Sequence, residues 1–188
     1  QDMDNSGTID GFDRRVIGKA TPDFTVGWNN TLTYKNWDLN LFFNGAFGAD
    51  RLNLARFTMA SMVGDSRFIT LREAYTDNFD KVGQSAIYPG LKVAGNNYQA
   101  VSTKWVEDAS YVRLENISLS YNLSKKVTKF ADIRLTLSCQ NLFTITGYKG
   151  MDPVGTTFSN DNVDVDAGID MGAYPTPRTF TFGVRMNF

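Results

Sequence analysis

Five stretches of this chain alternate apolar and polar residues with a period of two, and this pattern constrains the fold more than any other feature. The clearest stretch is Thr179–Phe188, which reads T-F-T-F-G-V-R-M-N-F. Because side chains of a strand alternate between its two faces, it predicts a strand with one apolar and one polar face. The apolar face would meet a core in a soluble sandwich. In a membrane barrel it would meet lipid, and the polar face would line the lumen.

Four further stretches predict four more strands. In chain order they are Phe24–Tyr34, Trp37–Phe47, Tyr111–Tyr121 and Ile133–Phe143. The first two have 11 residues each, which is close to the span of a tilted membrane strand. The intervening pair, Lys35–Asn36, predicts a two-residue hairpin turn. Aromatic residues at both ends of the first two apolar rows lie where interfacial girdles occur.

The polar rows of these strands are predicted to line a lumen. They contain Asp38, Asn40, Asn44, Ser118, Ser120, Arg134, Thr136, Gln140, Arg185 and Asn187. Polar side chains are the default lining of such a barrel, so no individual substrate residue is assigned. Cys139 lies in an apolar row and is interpreted as a packed small hydrophobe. The third strand changes phase in its first half, which predicts either a bulge near Glu115 or Asn116 or an upper end of the strand that stands clear of lipid.

The composition removes several classes of chemistry. The chain has no histidine and one cysteine, which excludes Ser-His-Asp and Cys-His catalysis, His-ligated zinc and an internal disulfide within it. No apolar run approaches the ~20 residues of a membrane helix. The sequence contains no basic patch, which argues against nucleic acid as a partner. The three glutamates, Glu73, Glu107 and Glu115, form no recognisable acid–base pair with the loop aspartates, so we predict no enzymatic activity.

The connections between the predicted strands alternate in length: two residues, then about 64, about ten and about 35. Membrane barrels place short turns in the periplasm and long loops outside. Residues 48–110 and 144–178 are therefore predicted to be extracellular loops, as is the segment 1–23, and the last strand is predicted to end in the periplasm. The first long loop is expected to be irregular apart from short helices within 52–63 and 66–79.

Aromatic and acidic side chains of the long loops suggest packing and solvation roles. The aromatic residues, expected to pack the loops together or against a lid, are Phe57, Phe68, Tyr75, Phe79, Tyr88, Tyr98 and Trp105. Four aspartates, Asp161, Asp164, Asp166 and Asp170, lack metal-ligand spacing and are predicted to lie in a solvated loop. A connection of ten residues after the third strand is short, polar and carries three lysines.

Residues 2–13 match a 12-residue calcium-loop pattern in which Asp2 is position 1. Oxygen-bearing residues occupy loop positions 1, 3, 5, 9 and 12, glycine occupies position 6, and position 7 offers its backbone carbonyl. The predicted Ca²⁺ ligands are Asp2, Asp4, Ser6, Thr8, Asp10 and Asp13. Position 12 is aspartate where the pattern usually has a bidentate glutamate. The other interpretation is a loop of Asx turns without an ion. A bound Ca²⁺ would have the structural role of stapling a surface loop.

Several segments resemble the SusC/RagA family, the TonB-dependent outer-membrane transporters of Bacteroidetes. The segments are D-M-D-N-S-G-T-I-D-G-F-D-R-R-V-I-G-K-A-T-P-D-F-T-V-G-W-N-N at the start, Y-V-R-L-E-N-I-S-L-S-Y-N-L at 111–123, Q-N-L-F-T-I-T-G-Y-K-G-M-D-P at 140–153, and Y-P-T-P-R-T-F-T-F-G-V-R-M-N-F at the end. The resemblance implies an all-β fold: the C-terminal five antiparallel strands of a transmembrane barrel of about 22 strands. It also implies that the plug and the TonB box lie outside these 188 residues.

The same resemblance implies a function. It suggests energised import of glycans or peptides across the outer membrane, with a SusD-like surface lipoprotein as lid and TonB acting through a region absent from this chain. Five strands cannot close a barrel, since roughly eight are needed, so the rest of the same barrel is an expected partner, as is outer-membrane lipid. The alternative is a secreted β-sandwich that binds carbohydrate through a calcium loop.

Overall fold

A computed structural model describes residues 5–7, 11–60, 71–88, 101–155 and 168–188. Its strands, in chain order, are β1 (Phe24–Tyr34), β2 (Trp37–Phe47), β3 (Asp50–Asn53), β4 (Val106–Asp108), β5 (Tyr111–Leu123), β6 (Asp132–Thr146), β7 (Ile169–Asp170) and β8 (Thr179–Asn187). The α-helices are α1 (Leu54–Ala60), α2 (Arg72–Thr76), α3 (Phe79–Val82) and α4 (Lys125–Thr128), and single 3₁₀ turns span Gly11–Asp13, Gly83–Ser85 and Thr103–Trp105. None of the described helices has the length and hydropathy of a transmembrane helix.

The five long strands form one antiparallel sheet in the order β1-β2-β5-β6-β8. Each strand pairs with the next long strand along the chain, so the sheet is a meander. The predicted bounds of β1 and β2 are confirmed. The structure extends β5 to Leu123 and β6 to Thr146, beyond the predicted ends. Lys35 has φ +54° in the predicted turn, the left-handed value that a tight hairpin requires.

A β-bulge at Glu115 accounts for the change of phase in the third long strand. Phe42 pairs with Asn116 and Phe43 pairs with Leu114, which leaves Glu115 outside the pairing with β2. The pairing with β6 is interrupted at the same place. The extra residue returns Leu114 to the apolar face of the sheet, because each residue of a strand reverses the facing. The predicted bulge is confirmed.

One face of the sheet is apolar and exposed over all five strands. Trp28 is 55%, Leu137 55% and Phe182 68% accessible. Aromatic pairs lie on this face at both ends: Phe24 stacks on Phe47 with ring centroids 5.0 Å apart, and Trp37 contacts Tyr121 at 4.5 Å. Among the described residues no second sheet covers this face, as a sandwich would require. The arrangement is that of a barrel wall whose outer surface faces lipid.

Residues of the two long connections form a small second sheet at one end of the main sheet. β3 pairs with β4 antiparallel and with β7 parallel, and gives a three-stranded sheet. A core of Ala60, Ala74, Tyr88 and Trp105 lies beside it. The expectation that residues 48–110 are irregular apart from short helices is therefore wrong for β3 and β4. Strands of three or four residues are too short for an alternating pattern to be visible.

The short helices predicted in the first long loop can be compared with the described residues. The first predicted helical stretch, 52–63, contains α1, which begins at Leu54 because Leu52 and Asn53 belong to β3. The second stretch, 66–79, contains α2, and α3 begins at its last residue. Residues 61–70, 89–100 and 156–167 lie outside the described residues, and so do Phe68, Tyr98, Asp161, Asp164 and Asp166. Cys139 is buried, as predicted, among the apolar residues of the sheet.

Candidate functional site

The polar face of the sheet carries a ladder of cross-strand hydrogen bonds near the short turns. Asp38 accepts from Thr33 Oγ1 at 3.0 Å and from Asn122 Nδ2 at 2.9 Å, and it pairs with Arg134 Nη2 at 3.2 Å. The residues predicted to line the lumen all lie on this face by register. These cross-strand bonds connect neighbouring strands along the polar wall of the sheet. Further cross-strand bonds join Asn40 to Asn29 and Thr31, and Ser120 to Thr136.

At the opposite end of the sheet, a buried ion pair joins the wall to the second long loop. Arg113 Nη2 lies 2.6 Å from Asp152 Oδ1, and the two side chains are 8% and 4% exposed. Thr176 donates its backbone N–H and its hydroxyl to Asp152 at 3.0 and 2.8 Å. Burial raises the pKa of Asp152, but hydrogen bonds from Thr176 and Val154 and from Arg113 outweigh it and leave the pKa below its usual value. These contacts hold both ends of the loop against β5.

A second buried contact fixes the end of this loop. Tyr148 Oη donates to Asp170 Oδ2 at 2.6 Å, and Asp170 Oδ1 accepts the backbone N–H groups of Gly172 and Ala173. Burial, followed by the bond to Asp170, raises the pKa of Tyr148 well above its usual value. Asp170 is 1% exposed, so the prediction that it lies in a solvated loop is wrong. The Asp170 carboxylate caps the turn at Gly172 and Ala173. The spacing of the loop aspartates in the sequence does not reveal this role.

A third network organises the first long loop around Arg56. The guanidinium contacts Glu107 Oε1 at 2.9 Å, Glu73 Oε2 at 3.0 Å and Tyr88 Oη at 3.1 Å. Burial lowers the pKa of Arg56, but the neighbouring acidic groups raise it overall, and hydrogen bonding by Arg56 lowers the pKa of Glu73. Burial also raises the pKa of Tyr88. The arrangement is a structural crosslink between α1, α2 and β4.

The loop aromatic residues divide into two groups. Phe57 meets Trp105 edge to face with ring centroids 5.4 Å apart, and Trp105 and Tyr88 are 2% and 4% exposed. These three pack the loop together, as predicted. Tyr75 and Phe79 are each 54% exposed. These two side chains do not take part in that core, and the Tyr75 ring has the Lys81 Nζ 3.5 Å from its centroid.

The predicted calcium loop lies mainly outside the described residues. Asp2, Asp4, Thr8 and Asp10 are not described, and of the predicted ligands only Ser6 and Asp13 are. Asn5 and Gly7 have φ values of +57° and +86°. Two left-handed residues so close together bend the chain sharply, and the second is at the position where the calcium pattern requires glycine. In the part of the chain that is described, no cluster of His, Cys, Asp or Glu has the geometry of a metal site.

The sequence motifs contain the anchoring residues, although alternation alone does not identify them. Arg113 belongs to Y-V-R-L, Tyr148 and Asp152 belong to G-Y-K-G-M-D-P, and Thr176 belongs to Y-P-T-P-R. The structure brings these three motifs together at one end of the sheet. Polar residues are common on the inner face of a barrel, so the position of Arg113 in β5 does not by itself indicate that its charge is buried. The only indication in the sequence is that Arg113 belongs to the motif Y-V-R-L.

The chain is similar over its full length to known receptors. It is 38% identical to TonB-dependent receptor P3 of Formosa agariphila, and the alignment covers 100% of this chain and 18% of that protein. It is 28% identical to TonB-dependent receptor SusC of Bacteroides thetaiotaomicron, with 100% and 17% coverage. The chain therefore spans less than a fifth of the length of these relatives. No family model matches it.

Solved structures show the same fold. A chain of the RagAB peptide importer in the closed-closed state superposes with a TM-score of 0.74 at 23% identity, over 93% of this chain and 18% of that chain. The open-open state gives a TM-score of 0.72 at 22% identity, over 89% and 17%.

An antiparallel meander with an exposed apolar face, together with full-length similarity to these receptors, defines the class of protein. The chain is a segment of the outer-membrane β-barrel of a TonB-dependent receptor. One of the receptors that match the whole chain is SusC, and a chain of the RagAB importer shares its fold. The family resemblance drawn from the sequence motifs is confirmed.

Proposed function

We propose that this chain supplies barrel wall and extracellular loops to an energised importer of oligosaccharides or peptides in the outer membrane. The observation that carries the proposal is the full-length similarity to TonB-dependent receptors, of which one is SusC. The structural neighbour is described as a peptide importer, which adds peptides as a substrate class. The chain would have structural and binding roles and would line a passage, without a catalytic step.

The polar wall and the anchored loops support a division of labour. Residues such as Asn40 and Thr31 form a hydrophilic surface suited to the passage of a hydrated solute. The buried pairs Arg113–Asp152 and Tyr148–Asp170 stabilise the second long loop above it. We assign the long loops, 48–110 and 144–178, to the extracellular side and the short turns to the periplasm, so that the last strand runs toward the periplasm.

The expected partners follow from this arrangement. A SusD-like surface lipoprotein would cover the extracellular loops as a lid, and TonB would act through a region outside these residues. The exposed aromatic side chains Tyr75 and Phe79 belong to the loop surface available to such a lid or to substrate. The remainder of the same barrel would pair with the free edges of β1 and β8, because unpaired backbone groups in lipid cost several kcal/mol each.

We further propose that Ca²⁺ binds the loop of Asp2, Asp4, Ser6, Thr8, Asp10 and Asp13. The support is the ligand spacing and the left-handed backbone at Gly7. The ion would hold the segment before β1 on the extracellular side, where a lid would dock. Its role would be structural.

An uptake assay tests the proposed function. Cells of the source bacterium would be given fluorescent oligosaccharides and fluorescent peptides, in parental, receptor-deletion and TonB-deletion backgrounds. Uptake of one class that falls to background in both deletions supports energised import and identifies the class. Uptake of both classes at parental levels in the receptor deletion would overturn the proposal. Complementation by the full-length receptor controls for effects on neighbouring genes.

A further inference from the structure

The turn between β5 and β6 exposes a mixture of cationic and apolar side chains. Lys125, Lys126 and Lys129 are exposed, and none of their ammonium groups has an ion pair among the described residues. Val127 and Phe130 in the same turn are 66% and 55% accessible. Neither the proposed transport pathway nor the loop anchors at the other end of the sheet use these five side chains.

The backbone of this turn is fixed, so its side chains are presented in a defined arrangement. The Lys125 N–H donates to Asp132 Oδ1 at 2.5 Å, and the Lys129 N–H donates to Lys125 O at 2.8 Å. The Thr128 hydroxyl donates to Ala131 O, and Ala131 is fully buried. Lys129 ends the helical turn α4 with φ +70°. The three lysines therefore project from one helical turn and its C-cap residue.

The turn lies directly beyond the edge of the exposed apolar face. It connects Leu123 to Ile133, which are register partners on that face, and Ile133 pairs in turn with Met186 of β8. The neighbouring hairpin turn adds another exposed cation, Lys35, whose Nζ lies 5.3 Å from the centre of the Tyr34 ring. Cationic groups just outside a lipid-facing apolar band lie at the depth of the lipid headgroups.

We propose that the turn 124–131 is a binding site for the headgroup of an anionic phospholipid. The ammonium groups of Lys125, Lys126 and Lys129 would bind the phosphate, and Val127 and Phe130 would contact the adjoining glycerol and acyl region. Clustered lysines attract anionic lipid, and apolar side chains beside them add buried area at the interface. Only the assignment to the periplasmic leaflet rests on the proposed orientation of the barrel.

Lipid retention by the purified full-length receptor tests this site. The receptor in mild detergent would be titrated with phosphatidylglycerol or phosphatidylcholine, and bound lipid would be counted by native mass spectrometry. We expect preferential retention of phosphatidylglycerol. The variant Lys125→Gln/Lys126→Gln/Lys129→Gln should lower that retention by at least about tenfold, since each cation contributes to the attraction. Val127→Ser/Phe130→Ser should weaken retention of both lipids.

A matched control removes three exposed cations from the opposite end of the sheet. Arg14→Gln/Arg15→Gln/Lys149→Gln changes the net charge equally and should leave phosphatidylglycerol retention within twofold of wild type. An equal loss in the two triple variants would overturn the proposal in favour of unspecific charge attraction. Full displacement of the lipid by an equal concentration of inorganic phosphate would also overturn it. A heat-dependent gel shift verifies that each variant forms a barrel, and uptake assays report separately on transport.

Discussion

Arg113 and Asp152 form a buried ion pair across 39 residues of sequence, with 2.6 Å between Nη2 and Oδ1. Arg113 belongs to the barrel wall and Asp152 to the second long loop, so the ion pair anchors the loop to the wall. Asp152 also accepts hydrogen bonds from Thr176, which brings the far end of the same loop to the same point. The loop is thus closed at its base on one carboxylate.

We expect Asp152→Ala to release the base of this loop. The substitution leaves Arg113 buried without its partner, and breaking one side of a buried pair costs about 3–5 kcal/mol. Hydrogen exchange of the full-length receptor should show faster exchange in 147–155 and 168–178 while β5 stays protected. The control Asp23→Ala removes an exposed ion pair with Lys19 and should change exchange by less than about 1 kcal/mol. Unchanged protection in the first variant would contradict the anchoring role.

The same anchor predicts a dependence on pH. The pKa of Asp152 is lower in the folded state than its usual value, so its ionised form stabilises the fold. This stabilisation is fully present above the unfolded pKa of about 3.9 and is lost as the pH falls through the folded value. Protease cleavage of the loop at a series of pH values should accelerate in that acidic range. Asp152→Asn should remove the acidic acceleration, and persistence of the full effect would assign it to another group.

Tyr148→Phe should destabilise the loop locally. The change deletes the 2.6 Å hydrogen bond to Asp170 and leaves one carboxylate oxygen buried without that donor. A buried acceptor left unsatisfied costs about 1–3 kcal/mol, or more when charged. Hydrogen exchange of residues 168–173 measures this cost. Tyr174→Phe is the matched control, because Tyr174 is 87% exposed, and equal effects of the two variants would argue against the buried bond.

The calcium proposal predicts a specific pattern of ligand variants. Asp4→Asn removes a charged side-chain ligand and should weaken Ca²⁺ binding by the full-length receptor at least tenfold in calorimetric titration. Thr8→Ala should have little effect, because position 7 of such a loop contributes its backbone carbonyl. If the unsubstituted receptor binds no Ca²⁺, the calcium proposal is overturned, and the segment is a loop of Asx turns without an ion.

The long strands could be predicted from the sequence because their alternation extends over 11 residues or more, as in β1 and β2. The bulge at Glu115 was visible as a change of phase. The small sheet was not predicted, because β7 has two residues and pairs with β3 from more than 100 positions away. Asp170 was misassigned for the same reason: its partner Tyr148 is supplied by tertiary structure. Local pattern thus predicts the wall, whereas the loop anchors depend on contacts between distant segments.

The lipid-facing assignment predicts that arginine substitutions destabilise the barrel far more on the apolar face than on the polar face of neighbouring strands. Leu137 and Phe182 are register partners on the apolar face, whereas Thr181 lies on the polar face of β8. Leu137→Arg should destabilise the full-length barrel by about 2–4 kcal/mol if the site is near the bilayer midplane. Thr181→Arg should cost much less. Folded fractions in lipid vesicles across a urea series measure both, and equal tolerance of the two would contradict the facing.

Deletion of Glu115 tests whether the bulge sets the facing of β5. Each residue of a strand reverses the side that its neighbours face, so removing the bulged residue would turn 111–114 over or strain the pairing. Arg113 would then face lipid and lose Asp152. We expect the full-length deletion variant to reach the outer membrane at less than about a tenth of the wild-type level, since charge in the lipid-facing band is strongly unfavourable. Glu115→Gln keeps the extra residue and an acceptor for Asn44 Nδ2, which lies 2.6 Å from Glu115 Oε2, and should be near wild type. Equal abundance of the deletion and Glu115→Gln variants would show that the bulge is dispensable for the facing of the strand.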